Sequence, residues 1–126
     1  MQEVIRKLKF KESGIVINAP SALEKEFAGL GFKTSFDKKE KSANTLVFIN
    51  SNKEYLDFLN KQLKNIEHDS MLWFAYPKGT SKIKTDINRD SMRVTGEEFN
   101  LATVTIVSID DTWSALRFRP VEKVGK

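Results

Sequence analysis

Apolar residues in this chain fall into short β-branched blocks separated by stretches with helical spacing, and that alternation predicts the elements. Residues 14–19 (GIVINA) lie between a glycine and Pro20 and predict a buried strand. Ser21-Ala22-Leu23-Glu24 then has the spacing of a capping box, in which a hydroxyl and a carboxylate satisfy free N–H groups at a helix start. Leu23, Phe27 and Leu30 continue at helical spacing, and Gly29 or Gly31 closes that helix. Residues 32–36 predict a second short strand, 37–44 (DKKEKSAN) a polar loop, and 45–49 (TLVFI) a third strand. Asn50 or Ser51 caps the next helix, whose Tyr55, Leu56, Leu59, Leu63 and Ile66 make one apolar stripe, with Asp57 and Lys61 at a favourable i,i+4 spacing on its outer face. After the polar turn Glu67-His68-Asp69-Ser70, residues 71–76 predict a fourth strand that stops at Pro77. The loop 77–85, rich in lysine and hydroxyls, leads to a helix near 87–99 that contains Gly96, a weak helix former. Residues 104–109 and 112–118 are β-rich runs joined by Asp110-Asp111, which is a hairpin signal.

Strands alternating with helices require a mostly parallel sheet covered on both faces, with right-handed crossovers. Counting strands along the chain, the expected order is 2-1-3-4-6-5, with the last strand, from the C-terminal hairpin, antiparallel. This is a three-layer, Rossmann-like α/β domain spanning residues 1–126. The topology resembles class I methyltransferases shortened by one helix–strand unit. Those enzymes follow the first strand with a glycine-rich turn that lets backbone N–H groups approach the cofactor. Here the turn is Asn18-Ala19-Pro20-Ser21, without glycine and with a proline that removes a donor. Three ordered motifs, IVINAP (15–20), LWFAYPKGTSKIKTD (72–86) and DDTWSALRF (110–118), resemble a family of small bacterial proteins catalogued only as a domain of unknown function. That resemblance implies the same fold and no assigned activity. The polar stretch 38–41 is longer than the family pattern, so the resemblance implies nothing there.

Composition narrows the classes. With 126 residues, 40% of them hydrophobic, the chain makes one globular domain with a core of ordinary size. Charged residues reach 30% with both signs interspersed, as on a solvated surface. A net charge of +4 is too common among soluble proteins to single out nucleic acid. The absence of cysteine excludes a disulfide framework and thiolate metal sites and fits an intracellular chain. The first twenty residues lack the apolar core of a signal peptide, and no segment is long and apolar enough to span a membrane. The expected location is cytoplasmic.

In an open parallel sheet, ligands bind beyond the carboxyl ends of the strands, where strand order reverses. That rule collects Asn18 and Ser21 after the first strand, and Asn50 and Ser51 after the third. It adds Tyr76, Lys78, Thr80, Ser81, Lys82, Lys84 and Asp86 after the fourth, and Asp110, Asp111, Thr112 and Trp113 at the hairpin. Lysines and hydroxyls at such an edge suit an anion, while the same Asn, Ser and Asp residues also serve as ordinary caps and turns. No catalytic residue is assigned: His68, the single histidine, falls at the far end of its strand, and the adjacent carboxylates Asp110 and Asp111 are explained by the turn. No metal site and no cofactor is implied. The expected function is therefore a non-enzymatic domain that binds a small anionic ligand or a protein partner. The alternatives are a reduced methyltransferase-like enzyme and a weak nucleic-acid binder.

Overall fold

A computed structural model of the protein describes residues 2–10 and 14–124. Helix α1 (Gln2–Lys7) precedes strand β1 (Ile15–Ile17), and α2 (Ser21–Gly29) follows it. Next come β2 (Ser42–Phe48), α3 (Asn52–Lys61), β3 (Ile66–Pro77), α4 (Arg89–Glu97), β4 (Leu101–Ser108) and β5 (Trp113–Pro120).

The sheet has five strands in the order β1-β2-β3-β5-β4. β1, β2 and β3 run parallel, β5 is antiparallel to β3, and β4 is antiparallel to β5. The six-stranded Rossmann-like order 2-1-3-4-6-5 is thereby corrected, because residues 32–36 form no strand. Only one parallel bridge forms there, between Ile15 and Lys33, closed by Val16 N–H to the Lys33 carbonyl (2.9 Å) and Lys33 N–H to the Gly14 carbonyl (3.0 Å). The segment's two aromatics pull in opposite directions: Phe32 packs edge-on against Phe27 on one face, and Phe36 tilts against Phe58 on the other. A backbone that must deliver consecutive anchors to both faces at the sheet margin leaves the ladder after one residue.

Both faces of the sheet are covered. Val47, Leu72, Phe74, Leu116 and Phe118 pack with Tyr55, Phe58 and Leu59 of α3 and Met92 of α4. On the opposite face Val16, Leu46, Phe48, Trp73 and Ala115 pack with Val4 and Leu8 at α1 and Phe27 of α2. Each such buried Val, Leu, Phe or Met side chain is worth about 1.5–3 kcal/mol of transfer free energy, so this double core holds the layers together. The N-terminal helix was not among the expected elements, and at it Val4, Ile5 and Leu8 fall at helical spacing and pack against the sheet. Leu8 is fully buried, and its carbonyl accepts the Trp73 indole N–H at 3.0 Å, tying this end of the chain to the central strand.

Several boundaries differ from expectation. The proposed capping box at Ser21 and Glu24 does not form: Pro20 is the cap, without a side-chain bond, and Ser21 is the first helical residue. β2 begins at Ser42, inside the expected loop. Ser42, Asn44 and Thr45 are buried there, and the Ser42 and Thr45 hydroxyls share a hydrogen bond of 2.6 Å. Glu67 to Ser70 is not a turn but part of the twelve-residue β3, accommodated by a register break against β2 and by Asp69 in the left-handed region (φ 53°). α3 ends at Lys61, so Leu63 and Ile66 leave its stripe, and Phe58 takes the core position. α4 is capped by a reciprocal pair in which Asn88 Oδ1 accepts from Ser91 N–H and Ser91 Oγ accepts from Asn88 N–H.

Candidate functional site

At the carboxyl ends of the parallel strands, β1 leads into α2 on one face and β2 leads into α3 on the other. That divergence makes a crevice possible between the two exits. One is present, with a volume of about 520 Å³, bounded by the end of β1, residues 34–36 and the outer side of α3. Its apolar floor is Ile17, Phe36 and Phe58, with the two phenyl rings 6.1 Å apart. Asn18, Thr34, Ser35, Glu54, Asp57, Lys61 and Gln62 supply the polar rim.

Local sequence explains how each element holds its part. Asn18 adopts the left-handed conformation (φ 60°), which asparagine tolerates better than most residues, and so turns the chain sharply out of β1. Phe36 crosses to α3 after the single bridge at Lys33 and builds the outer wall. On α3, Asp57 and Lys61 are exposed one turn apart, while Phe58 between them faces inward. Glu54 is committed elsewhere, since its Oε1 accepts the Asn50 N–H at 2.8 Å. The crevice therefore presents two carboxylates, one of them holding the Asn50 N–H, with one ammonium and several amide or hydroxyl groups over an aromatic floor.

The residues collected from the sequence meet different fates. Asn18 lines the crevice. Ser51 caps α3, its hydroxyl accepting the Glu54 N–H at 3.2 Å, and Asp86 caps the same end by accepting the Asn52 N–H at 2.7 Å. Thr85 donates to the Asn50 carbonyl, so Asn50, Ser51 and Asp86 form a capping cluster, with the loop drawn onto the helix N-terminus. Asp110 Oδ1 accepts the N–H groups of Thr112 and Trp113 at 2.9 and 2.8 Å, which fixes the hairpin turn. Trp113 is core, packed edge-on to Phe48 at 5.0 Å. Lys78 Nζ donates to Ser108 Oγ at 2.7 Å, and Ser81 Oγ donates back to the Lys78 carbonyl at 2.8 Å. Thr80, Lys82 and Lys84 are exposed. Of the donors expected to hold an anion, Lys78 and Ser81 are used for internal bonds while Thr80, Lys82 and Lys84 face solvent, and the α3 N-terminus is already occupied by two side-chain oxygens.

The crevice residues Thr34, Ser35, Phe36, Phe58 and Gln62 were not legible as a site. Their one sequence signal is the pair of phenylalanines in otherwise polar surroundings, Phe36 before a charged loop and Phe58 beside Asp57.

Two other features bear on chemistry. A smaller cavity of about 150 Å³ lies at the opposite end of the sheet, lined mainly by Leu63, Ile66, Leu72, Leu101, Phe118 and Pro120, with Ser70 at its wall. Nearby, Arg119 grips Asp69 through two bonds, Nε to Oδ1 at 2.9 Å and Nη2 to Oδ2 at 3.1 Å. That guanidinium holds the Asp69 carboxyl below the usual carboxylate range. His68 Nε2 is 3.1 Å from Glu122 on the exposed surface, far from the crevice. Among the described residues no three His, Asp or Glu side chains gather as a metal site.

No protein-family model matches the chain, and no curated protein or solved structure is significantly similar to it.

Proposed function

We propose that the protein is a non-enzymatic, cytoplasmic ligand-binding domain whose seat is the crevice between β1, residues 34–36 and α3. The observation that carries this reading is the crevice itself. Its volume, about 520 Å³, lies within the roughly 300–1,000 Å³ of small-molecule sites, and it joins an aromatic floor to a few convergent polar groups. The rim bears both signs of charge, Glu54 and Asp57 against Lys61, so the ligand class is a zwitterionic or hydrogen-bonding molecule with a flat apolar part, not a bare phosphate. The non-enzymatic reading rests on the lining residues. Glu54 is tied to Asn50, and neither histidine nor cysteine is present in the crevice to form a nucleophile–base pair. The cytoplasmic reading rests on the charged, cysteine-free composition.

The test is a protein-observed NMR screen with small aromatic amines, amino acids and carboxylates. Binding in this seat shifts the amides of Asn18, Thr34, Ser35, Asp57 and Lys61, and Asp57→Lys reverses the preference between cationic and anionic probes. Shifts confined to residues 78–86, or probe binding unaltered by Asp57→Lys, would overturn the assignment.

A further inference from the structure

β4 is the open edge of the sheet, whereas β1 at the other edge is bridged by Lys33. Sheet edges are usually protected by lysine, proline or shortness, because their free N–H and C=O groups template further pairing. β4 has none of these. It is eight residues long, LATVTIVS, without charge, proline or glycine. Its one protective device is a bulge between Thr103 and Ile106, which leaves regular backbone on either side. Large apolar residues are also exposed around this edge: Val104 at its centre is 41% exposed, Val94 on α4 is 52%, and Val121 is 43%. Val121 is placed here because its N–H donates to the carbonyl of Asn100, just before β4.

The helix above the edge carries a matching pattern. In α4, Met92 and Gly96 are buried, Ser91 and Thr95 are half-buried, and Arg89, Arg93 and Glu97 are exposed. α3 lies on one side of α4, where the Tyr55 hydroxyl donates to the Met92 carbonyl at 2.9 Å. The exposed stripe at helical spacing therefore occupies the flank toward the open edge. It runs from basic to acidic, Arg89, Arg93, Glu97, with Arg93 and Glu97 3.6 Å apart. Turned about a two-fold axis, such a stripe meets itself with Arg89 opposite Glu97 at both ends, and the two Arg93 side chains at the axis are each held by Glu97 of their own helix. An interface with this property is self-complementary, as a symmetric dimer requires.

We infer that β4 pairs antiparallel with β4 of a second copy of this chain, joining two five-stranded sheets into one of ten strands with the α4 helices side by side. The strand edge alone, with Val104, buries too little for a stable association, for which about 1,200 Å² is typical, so the inferred interface extends to the α4 flanks. This surface is separate from the crevice, so the inference does not depend on what the crevice binds.

Sedimentation velocity on the full chain at about 1–100 µM is expected to show a dimer in equilibrium with monomer. Val104→Lys or, independently, Thr105→Glu places a charge on the edge and is expected to give a monomer with an unchanged far-UV circular dichroism spectrum. Glu97→Arg is expected to weaken the dimer, and Arg89→Glu added to it is expected to restore association, because the pairing reappears with its signs exchanged. A merely structural role for Glu97 does not produce that rescue. Wild-type protein that stays monomeric across the range overturns the inference. So does a dimer indifferent to both edge charges, or a charge swap that fails to rescue.

Discussion

Gly96→Ala sets two opposing effects against each other at one atom. Gly96 lies within α4, where alanine is intrinsically better by about 1 kcal/mol. Against this, a Cβ built on Gly96 lies 2.9 Å from Phe118 Cε2, 3.3 Å from the Leu101 carbonyl oxygen and 3.3 Å from the Tyr55 hydroxyl. Carbon atoms prefer about 3.5–4.0 Å, so the methyl overlaps the Phe118 ring by more than half an ångström on the order of such contacts. None of the three neighbours yields easily. Phe118 is 1% exposed and packs perpendicular to Phe74 at 5.4 Å, Leu101 contributes backbone, and Tyr55 is held by its bond to Met92. Overpacking of this kind costs about 1–3 kcal/mol, and contact with three fixed groups places the site at the upper end. The net expectation is a loss of about 2 kcal/mol, read as a lower urea midpoint at unchanged slope and a fall in Tm of about 6–10 °C. Gly29→Ala is the internal control. Gly29 ends α2 with nothing within 4 Å of its added Cβ, so this variant is expected to be neutral or stabilising by up to about 1 kcal/mol. Gly96→Ala as stable as wild type would refute the close approach of α4 to Phe118 on which the packing of this face rests.

Four further outcomes follow from single contacts. Tyr55→Phe removes the hydroxyl that donates to the Met92 carbonyl and is expected to cost about 1 kcal/mol in urea unfolding. Burial holds that hydroxyl well above its ordinary range, so the gap should stay constant up to about pH 10. Asp69→Asn is expected to lower stability at neutral pH. Because Arg119 depresses the folded carboxyl, the wild-type advantage is present above the unfolded value of about 4 and disappears as acid titrates the folded group; a gap that persists at lower pH would contradict the pairing. Ser70→Ala is expected to change stability by less than about 0.5 kcal/mol or to raise it, since the Ser70 hydroxyl is buried without a partner among the described residues. Lys82→Ser with Lys84→Ser should alter stability by less than about 1 kcal/mol, and a phosphate titration followed by NMR should show no saturable site for these two lysines to lose.

Strands were legible wherever several β-branched or aromatic residues ran together, as at 45–49 and 71–76, because those runs are buried on both faces and need no partner information. The stretch 32–36 carries the same residue types and fails, since a strand also requires an adjacent backbone for several consecutive residues, and its two phenylalanines are claimed by opposite layers. α1 was hidden for a related reason. Its Val4, Ile5 and Leu8 read as isolated apolar residues among charges until Trp73 is seen beneath the Leu8 carbonyl. Gly96 looked like evidence against a helix, and is instead the residue that lets α4 approach Phe118. Of the crevice, only Asn18 was named beforehand, because its other walls come from segments more than fifteen residues away in the chain, with side chains that look like loop and core.

The carboxyl edge shows why sequence rules for sites and for caps select the same residues. Each helix that follows a parallel strand starts at that edge with unpaired N–H groups, and Ser, Asn and Asp are the residue types that satisfy them. An anion would use the same N–H groups. The two uses exclude each other at one helix end, so occupancy decides between them. At α3 the Ser51 hydroxyl and the Asp86 carboxylate already sit on Glu54 N–H and Asn52 N–H. An arriving phosphate would have to displace a negative side chain held at 2.7 Å, and the lysines of the adjoining loop gain too little at an exposed position to offset that loss. The floor of the crevice is apolar, and Asp57 and Lys61 on its rim face solvent. The loop is anchored at Lys78 and Asp86 and carries the exposed Lys82 and Lys84 between them. The proposed seat in the aromatic crevice beside β1 avoids that competition, and the lysine-rich loop does not.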